Sequence, residues 1–167
     1  MNQRVSILPF LVLLLALAAC KPQANDRDPV AYNDAIVDIQ SAVVEKFDRF
    51  VDLADAYDSL GALQALEEAI AVAREGLHKL DSIPPFEKET QLRDAAKNLV
   101  AHYAQGLDQE FRKLLPVMVS HFSTLAELEK ADSIRMAFSE EENHLFELLV
   151  KAQKEFSTLH KFEVAIP

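Results

Sequence analysis

The sequence has 167 residues, 27 acidic against 17 basic side chains, and a formal net charge of −10, a balance that opposes binding to nucleic acid or anionic headgroups. One cysteine excludes an internal disulfide and a multi-cysteine metal site. With three glycines, no tryptophan and few Val/Ile/Thr clusters, strands have little support, and the length suits one domain.

Arg4 supplies a positive start, and Val5 to Leu17 is almost unbroken hydrocarbon. That run is too short for a bilayer core of about 30 Å, which takes roughly 20 apolar residues as helix. A short charged start, a short apolar run and small residues at its end form a signal peptide. The ending Leu17-Ala18-Ala19-Cys20 resembles the bacterial lipobox. This resemblance implies a diacylglyceryl group on the Cys20 sulfur, cleavage before Cys20 and a third acyl chain on its amine. Two or more chains anchor a protein stably where one does not. The alternative is an ordinary signal peptide cut after Ala19, leaving a free thiol; a single cysteine standing where the lipobox needs it favours lipidation. The expected organisation is residues 1–19 as signal peptide, 20–28 as lipidated cysteine and polar tether, and 29–167 as the domain. The signal holds one base and no acid, so the mature chain is more acidic still.

From Asp28 onward the periodicity is helical. Asp28 or its neighbour is placed to cap a first helix that begins with Pro29. Its stripe is Ile36, Gln40, Val43, Phe47, Phe50, Ala54 and Tyr57, spaced alternately by four and three. Asp58 to Gly61 forms a tight break. A second helix repeats Leu63, Leu66, Ile70, Ala73, Leu77 and Leu80 until Pro84-Pro85 ends it. A third runs from about Lys88 to His121 on Leu92, Ala96, Leu99, Tyr103, Leu107, Leu114 and Met118. Pro116 inside it predicts a kink, because its ring displaces the carbonyl of Arg112. Thr124 and Glu127 fit a capping box for the longest helix. That helix carries Leu128, Ala131, Phe138, Leu145, Leu149, Ala152, Phe156 and Leu159 to about Lys161. Short connections make the expected fold all-α, an up-down-up-down antiparallel four-helix bundle.

Tyr32-Asn33-Asp34, Ile36-Val37 and Gln40, then Phe86, Leu92 and Ala95-Ala96, then Ala152-Gln153 and Phe156 carry a further likeness. In these positions, spread over most of the mature chain, the sequence resembles an uncharacterised family of bacterial helical surface lipoproteins. The resemblance implies a helical, membrane-anchored domain on the outside of the cell or in the periplasm, and no activity comes with it.

The sharpest catalytic pattern is that of a di-iron bundle, which takes Glu from two helices and Glu-x-x-His from two others. Glu75-x-x-His78 and Glu141-x-x-His144 fall on the second and fourth helices, with Glu110 beside the core of the third. The facing argues against a metal: Ala73 and Leu77 in the seam turn Glu75 and His78 outward, and the first helix offers no carboxylate in its stripe. No zinc spacing, nucleophile elbow, phosphate loop or haem-attachment motif is present. The expectation is therefore a non-catalytic interaction or scaffold protein without a cofactor, with a ligand- or metal-binding bundle as runner-up. The expected partners are the membrane, through Cys20, and an unidentified envelope protein, with nucleic acid excluded. Glu140-Glu141-Glu142 reads as a solvated face, and Asn33 and Asp34 as first-turn residues suited to the helix dipole. Gln40 is expected in a buried polar layer with Tyr103 and Gln153. At the end farthest from the lipid, Leu60, Met118, Val119 and Phe122 gather beside two turns. They either seal the core or form a contact patch.

Cys20→Ala is expected to leave the chain uncleaved or released to the soluble fraction and to abolish incorporation of labelled palmitate. A mutant that is processed and still firmly membrane-bound contradicts the anchor.

Overall fold

The computed structural model describes residues 28–164; Cys20 and the segments expected to be signal peptide and tether, up to residue 27, lie outside them. The regular elements described are all helical: α1 (Pro29–Asp55), α2 (Ser59–Ser82), α3 (Gln91–Gly106), a π-helical turn (Leu107–Phe111), α4 (Arg112–Met118) and α5 (Leu125–His160). Helical dihedrals continue through Leu107 and Arg112. So α3, the π turn and α4 form one rod, and four rods make the fold. Among the described residues no helix is long and apolar enough to cross a membrane.

Asp28 caps α1 by accepting from the Val30 N–H at 3.0 Å, with Pro29 in the first turn, where a missing N–H costs nothing. Ile36, Val43, Phe50 and Ala54 bury the expected stripe. Tyr57 does not join it. The helix ends at Asp55, and Tyr57 stands exposed in a left-handed turn at φ 58°, because Asp58 is used to cap α2 through the Gly61 N–H at 2.9 Å.

Leu66, Ile70, Ala73 and Leu80 of the expected α2 stripe are buried, Leu63 is exposed, and Ala62, Ala65 and Ala69 join the seam. A Cβ at Gly76 would stand 3.2 Å from Ile39 Cγ2 and 3.3 Å from Val100 Cγ1, so α1, α2 and α3 converge on a residue with no side chain. Ion pairs dress the outside: Lys46–Glu68 at 2.8 Å, Arg74–Asp108 at 2.8 Å, and Arg112 with both Glu67 and Asp108. Pairs this exposed contribute about 0–1 kcal/mol each.

Between α2 and α3, Ile83 is extended before the two prolines, as steric contact with proline requires. Glu87 and Lys88 then take left-handed conformations at φ 47° and 81°. This turn, closed by Phe86 N–H to Glu89 carbonyl at 3.2 Å, points Phe86 inward to full burial. It also explains why the third rod starts at Gln91 rather than at Lys88.

The third rod holds Pro116 inside α4 and a π turn ahead of it. At the π turn the Arg112 N–H reaches back to Leu107, a one-residue widening that keeps Gly106, Leu107 and Phe111 all on the buried side. Gly106 faces α5 so closely that a Cβ there would lie 2.4 Å from Phe138 Cε2. The capping box of α5 forms as read: Glu127 N–H to Thr124 Oγ1 at 3.3 Å and Thr124 N–H to Glu127 Oε2 at 2.8 Å. Of its expected stripe, Ala131, Phe138, Leu149, Ala152 and Phe156 are buried, while Leu128 and Leu159 are exposed.

Alanine is favoured over glycine within a helix by about 1 kcal/mol, yet Gly106→Ala is expected to lower stability by about 1–3 kcal/mol through overpacking against Phe138. In a Phe138→Leu background the same change is expected to be neutral or stabilising. Urea midpoints of the four proteins test this, and additive losses would show that the two residues do not meet.

Candidate functional site

Tyr32, Phe86 and Phe156 converge at one end of the fold. Tyr32, in the first turns of α1, packs its ring 5.2 Å from Phe86 and 5.4 Å from Phe156. His160, in the last turn of α5, lies edge-on to Phe86 at 4.8 Å and tilted over Phe156 at 4.5 Å. Phe162 follows the left-handed Lys161 (φ 59°) and covers Phe156 at 5.9 Å. Such offset and edge contacts add about 0.5–1.5 kcal/mol per pair beyond burial.

Beside this cluster a cavity of about 220 Å³ opens between α1, α3 and α5. Its walls are Tyr32, Leu92, Phe156 and Leu159, and Glu89, Gln91 and Glu155 stand among its lining polar groups. A shallower groove along α3 and α5 shares Gln91, Ala152 and Glu155 with it and runs on past Asp94 to Leu145 and Leu148. Burial works to raise the carboxyl of Asp94, but hydrogen bonds from Thr90 and Arg93 and the charges of Arg93 and Lys97 hold it below its usual range.

Next to the cavity Gln153 Nε2 donates to Asn33 Oδ1 at 3.0 Å, with 8% and 5% of the two residues exposed. This buried amide pair joins α1 to α5 one residue from Tyr32 and one from Ala152. It replaces the expected layer of Gln40, Tyr103 and Gln153: Gln40 is only half-buried, and Tyr103 donates to Glu142. Asn33 is thus a packed residue rather than a solvated first-turn one. Glu142 departs from the solvated face too, half-buried where Glu140 and Glu141 are exposed. Burial pushes the Tyr103 phenol far above its usual range, and the Glu142 carboxylate adds to the shift. His102 stacks on Phe138 at 4.2 Å and places Nε2 3.0 Å from the Phe138 carbonyl. That oxygen can only accept, so Nε2 carries the proton.

The di-iron pattern does not assemble. Glu75, His78, Glu110, Glu141 and His144 are all exposed, Glu110 not bordering the core after all. Glu75 is paired with Lys79 at 2.7 Å. Among the described residues no three His, Cys, Asp or Glu side chains come together as metal ligands.

The far-end quartet divides. Met118 and Val119 pack against the core, whereas Leu60 and Phe122 stand out at 67% and 94% exposure. Tyr57 and His121 stack at 4.2 Å and so join the two turns that carry them. Leu125, at the start of α5, is exposed as well, at 72%. The cavity residues Glu89, Glu155 and Leu159 had no motif to reveal them.

Asn33→Leu is expected to cost about 1–3 kcal/mol, because it strands the buried Gln153 amide. Adding Gln153→Leu is expected to recover part of that loss, measured as coupling in a double-mutant cycle. Gln40→Leu is expected to show no coupling to either residue.

The chain matches no protein-family model, no curated protein and no solved structure.

Proposed function

We propose that this chain is a lipid-anchored cell-envelope protein whose helical domain serves as a non-catalytic interaction or scaffold module. The observation that carries this reading is the apolar tip: Phe122 at 94%, Leu125 at 72% and Leu60 at 67% exposure, beside the stacked Tyr57 and His121. Apolar side chains that only sealed a core would be covered, as Met118 and Val119 are, and an uncovered group of this kind marks a contact surface.

An up-down-up-down antiparallel course supports the tip's placement. Phe86 of the α2–α3 connection lies against Tyr32 and Phe156, near the beginning of α1 and the end of α5. The α1–α2 and α4–α5 turns meet through Tyr57 and His121. Anchored through Cys20 and the short tether, such a domain carries its tip about the length of a helix away from the membrane. At about 1.5 Å per residue the longest rod spans roughly 50 Å.

A second reading, a ligand-binding bundle, is favoured by the cavity beside Tyr32 and uses the opposite end of the domain.

Crosslinking and capture by the native lipidated protein test the first reading, repeated with Leu60→Ser and Phe122→Ser. The expected result is loss of the captured envelope protein with unchanged thermal melting. If both variants fold normally and capture the same proteins, the tip is only a plug.

A further inference from the structure

We propose that the cavity beside Tyr32 binds a small organic cation with an apolar body, an alkyl- or arylalkyl-ammonium. The proposal rests on the ligand-binding reading of the domain and adds the chemical class of the ligand. Tyr32, Leu92, Phe156 and Leu159 offer walls of hydrocarbon and aromatic ring, while the charged groups that line the cavity are the carboxylates of Glu89 and Glu155, with no base among the lining residues. Lys151, itself exposed, stands 4.0 Å from Glu155; Glu89 has no ion-pair partner among the described residues. An anion in this space would face two carboxylates on an acidic protein, and a neutral ligand would gain at most a hydrogen bond from them, without the charge attraction. A cation gains attraction from both carboxylates and from the aromatic faces beside it.

The walls are fixed before any ligand arrives. The Asn33–Gln153 bond holds α1 and α5 beside the cavity, and the rings of Phe86 and His160 hold Tyr32 and Phe156 from behind. Little ordering is then left to oppose binding. A volume of about 220 Å³ lies below the roughly 300 Å³ at which sites for drug-sized ligands begin, which sets the ligand's size. The groove toward Leu145 and Leu148 leaves room for a longer apolar tail. A phospholipid headgroup presents its ammonium beside a phosphate instead of an apolar body, and the acidic rim disfavours it.

The test uses the full lipidated chain in a nonionic detergent and calorimetric titration with phenethylammonium, its uncharged analogue 2-phenylethanol, and phosphoethanolamine. The native protein is expected to bind phenethylammonium about tenfold or more tightly than the alcohol and phosphoethanolamine least. Glu89→Gln, a change at an exposed side chain, is expected to close most of the gap between amine and alcohol. Leu159→Trp at the exposed edge is expected to abolish binding with unchanged melting. Equal binding of amine and alcohol, phosphoethanolamine binding as tightly as the amine, or an unaltered gap in Glu89→Gln overturns the proposal and leaves a ligand-binding domain standing. No binding of any of the three by the native protein overturns both.

Discussion

Between Ala131 and Leu149 the only fully buried side chain that α5 contributes is Phe138, and the fold depends on how that ring is held. It meets Phe111 edge-on at 5.0 Å and Tyr103 at 5.7 Å, lies tilted against Phe47 at 5.3 Å, and is covered by the stacked His102. It reaches this position because Gly106 has no Cβ to block it and because the π turn that follows keeps Leu107 and Phe111 turned inward. A wide turn, a glycine and one phenylalanine therefore act as a single joint. Through it the long, thinly buried α5 is attached to a core built mainly by α1, α2 and α3.

Two polar contacts follow the joint along α5 and set its register. Tyr103 donates a hydrogen bond to Glu142, one turn beyond Phe138. Farther along, the Gln153 amide N–H donates to Asn33. Hydrophobic contact tolerates sliding, whereas a buried donor and acceptor must find each other or lose about 1–3 kcal/mol each. The apolar joint thus supplies adhesion, and the polar pairs select one alignment among the several that a leucine-rich helix would accept. The second pair also fixes the cavity wall, which links helix register to the shape of the candidate site.

The two ends of the domain differ in character. At the Phe86 end aromatic rings close over one another and leave a defined hollow with acids in its lining. At the Tyr57 end the turns are short, their backbone is tied by caps at Asp58 and Thr124, and large apolar side chains are left in solvent. The capped turns end where the backbone is satisfied, whether or not the neighbouring leucine or phenylalanine has found a cover.

The sequence by itself determined the helices and their caps, because these depend on local spacing and on side chains that reach only three or four residues. Asp28, Pro29, Thr124 and Glu127 were readable for that reason. Asn33 and Glu142 were also within reach: each continues its helix's spacing, Asn33 three residues before Ile36 and Glu142 four after Phe138, so each falls on a buried stripe despite being polar. The expected signal segment and the role proposed for Cys20 rest on sequence pattern alone, outside the described residues. Tertiary structure alone decided which polar groups pair, since Asn33 and Gln153 stand 120 residues apart. It also decided that Ala62, Ala65 and Ala69 share the α2 seam with Leu66, Ile70 and Leu80, that the third rod widens at Leu107–Phe111, and that Glu89 and Glu155 come to line one cavity. Each of these follows from how closely two rods approach, a distance that no spacing within a single helix encodes.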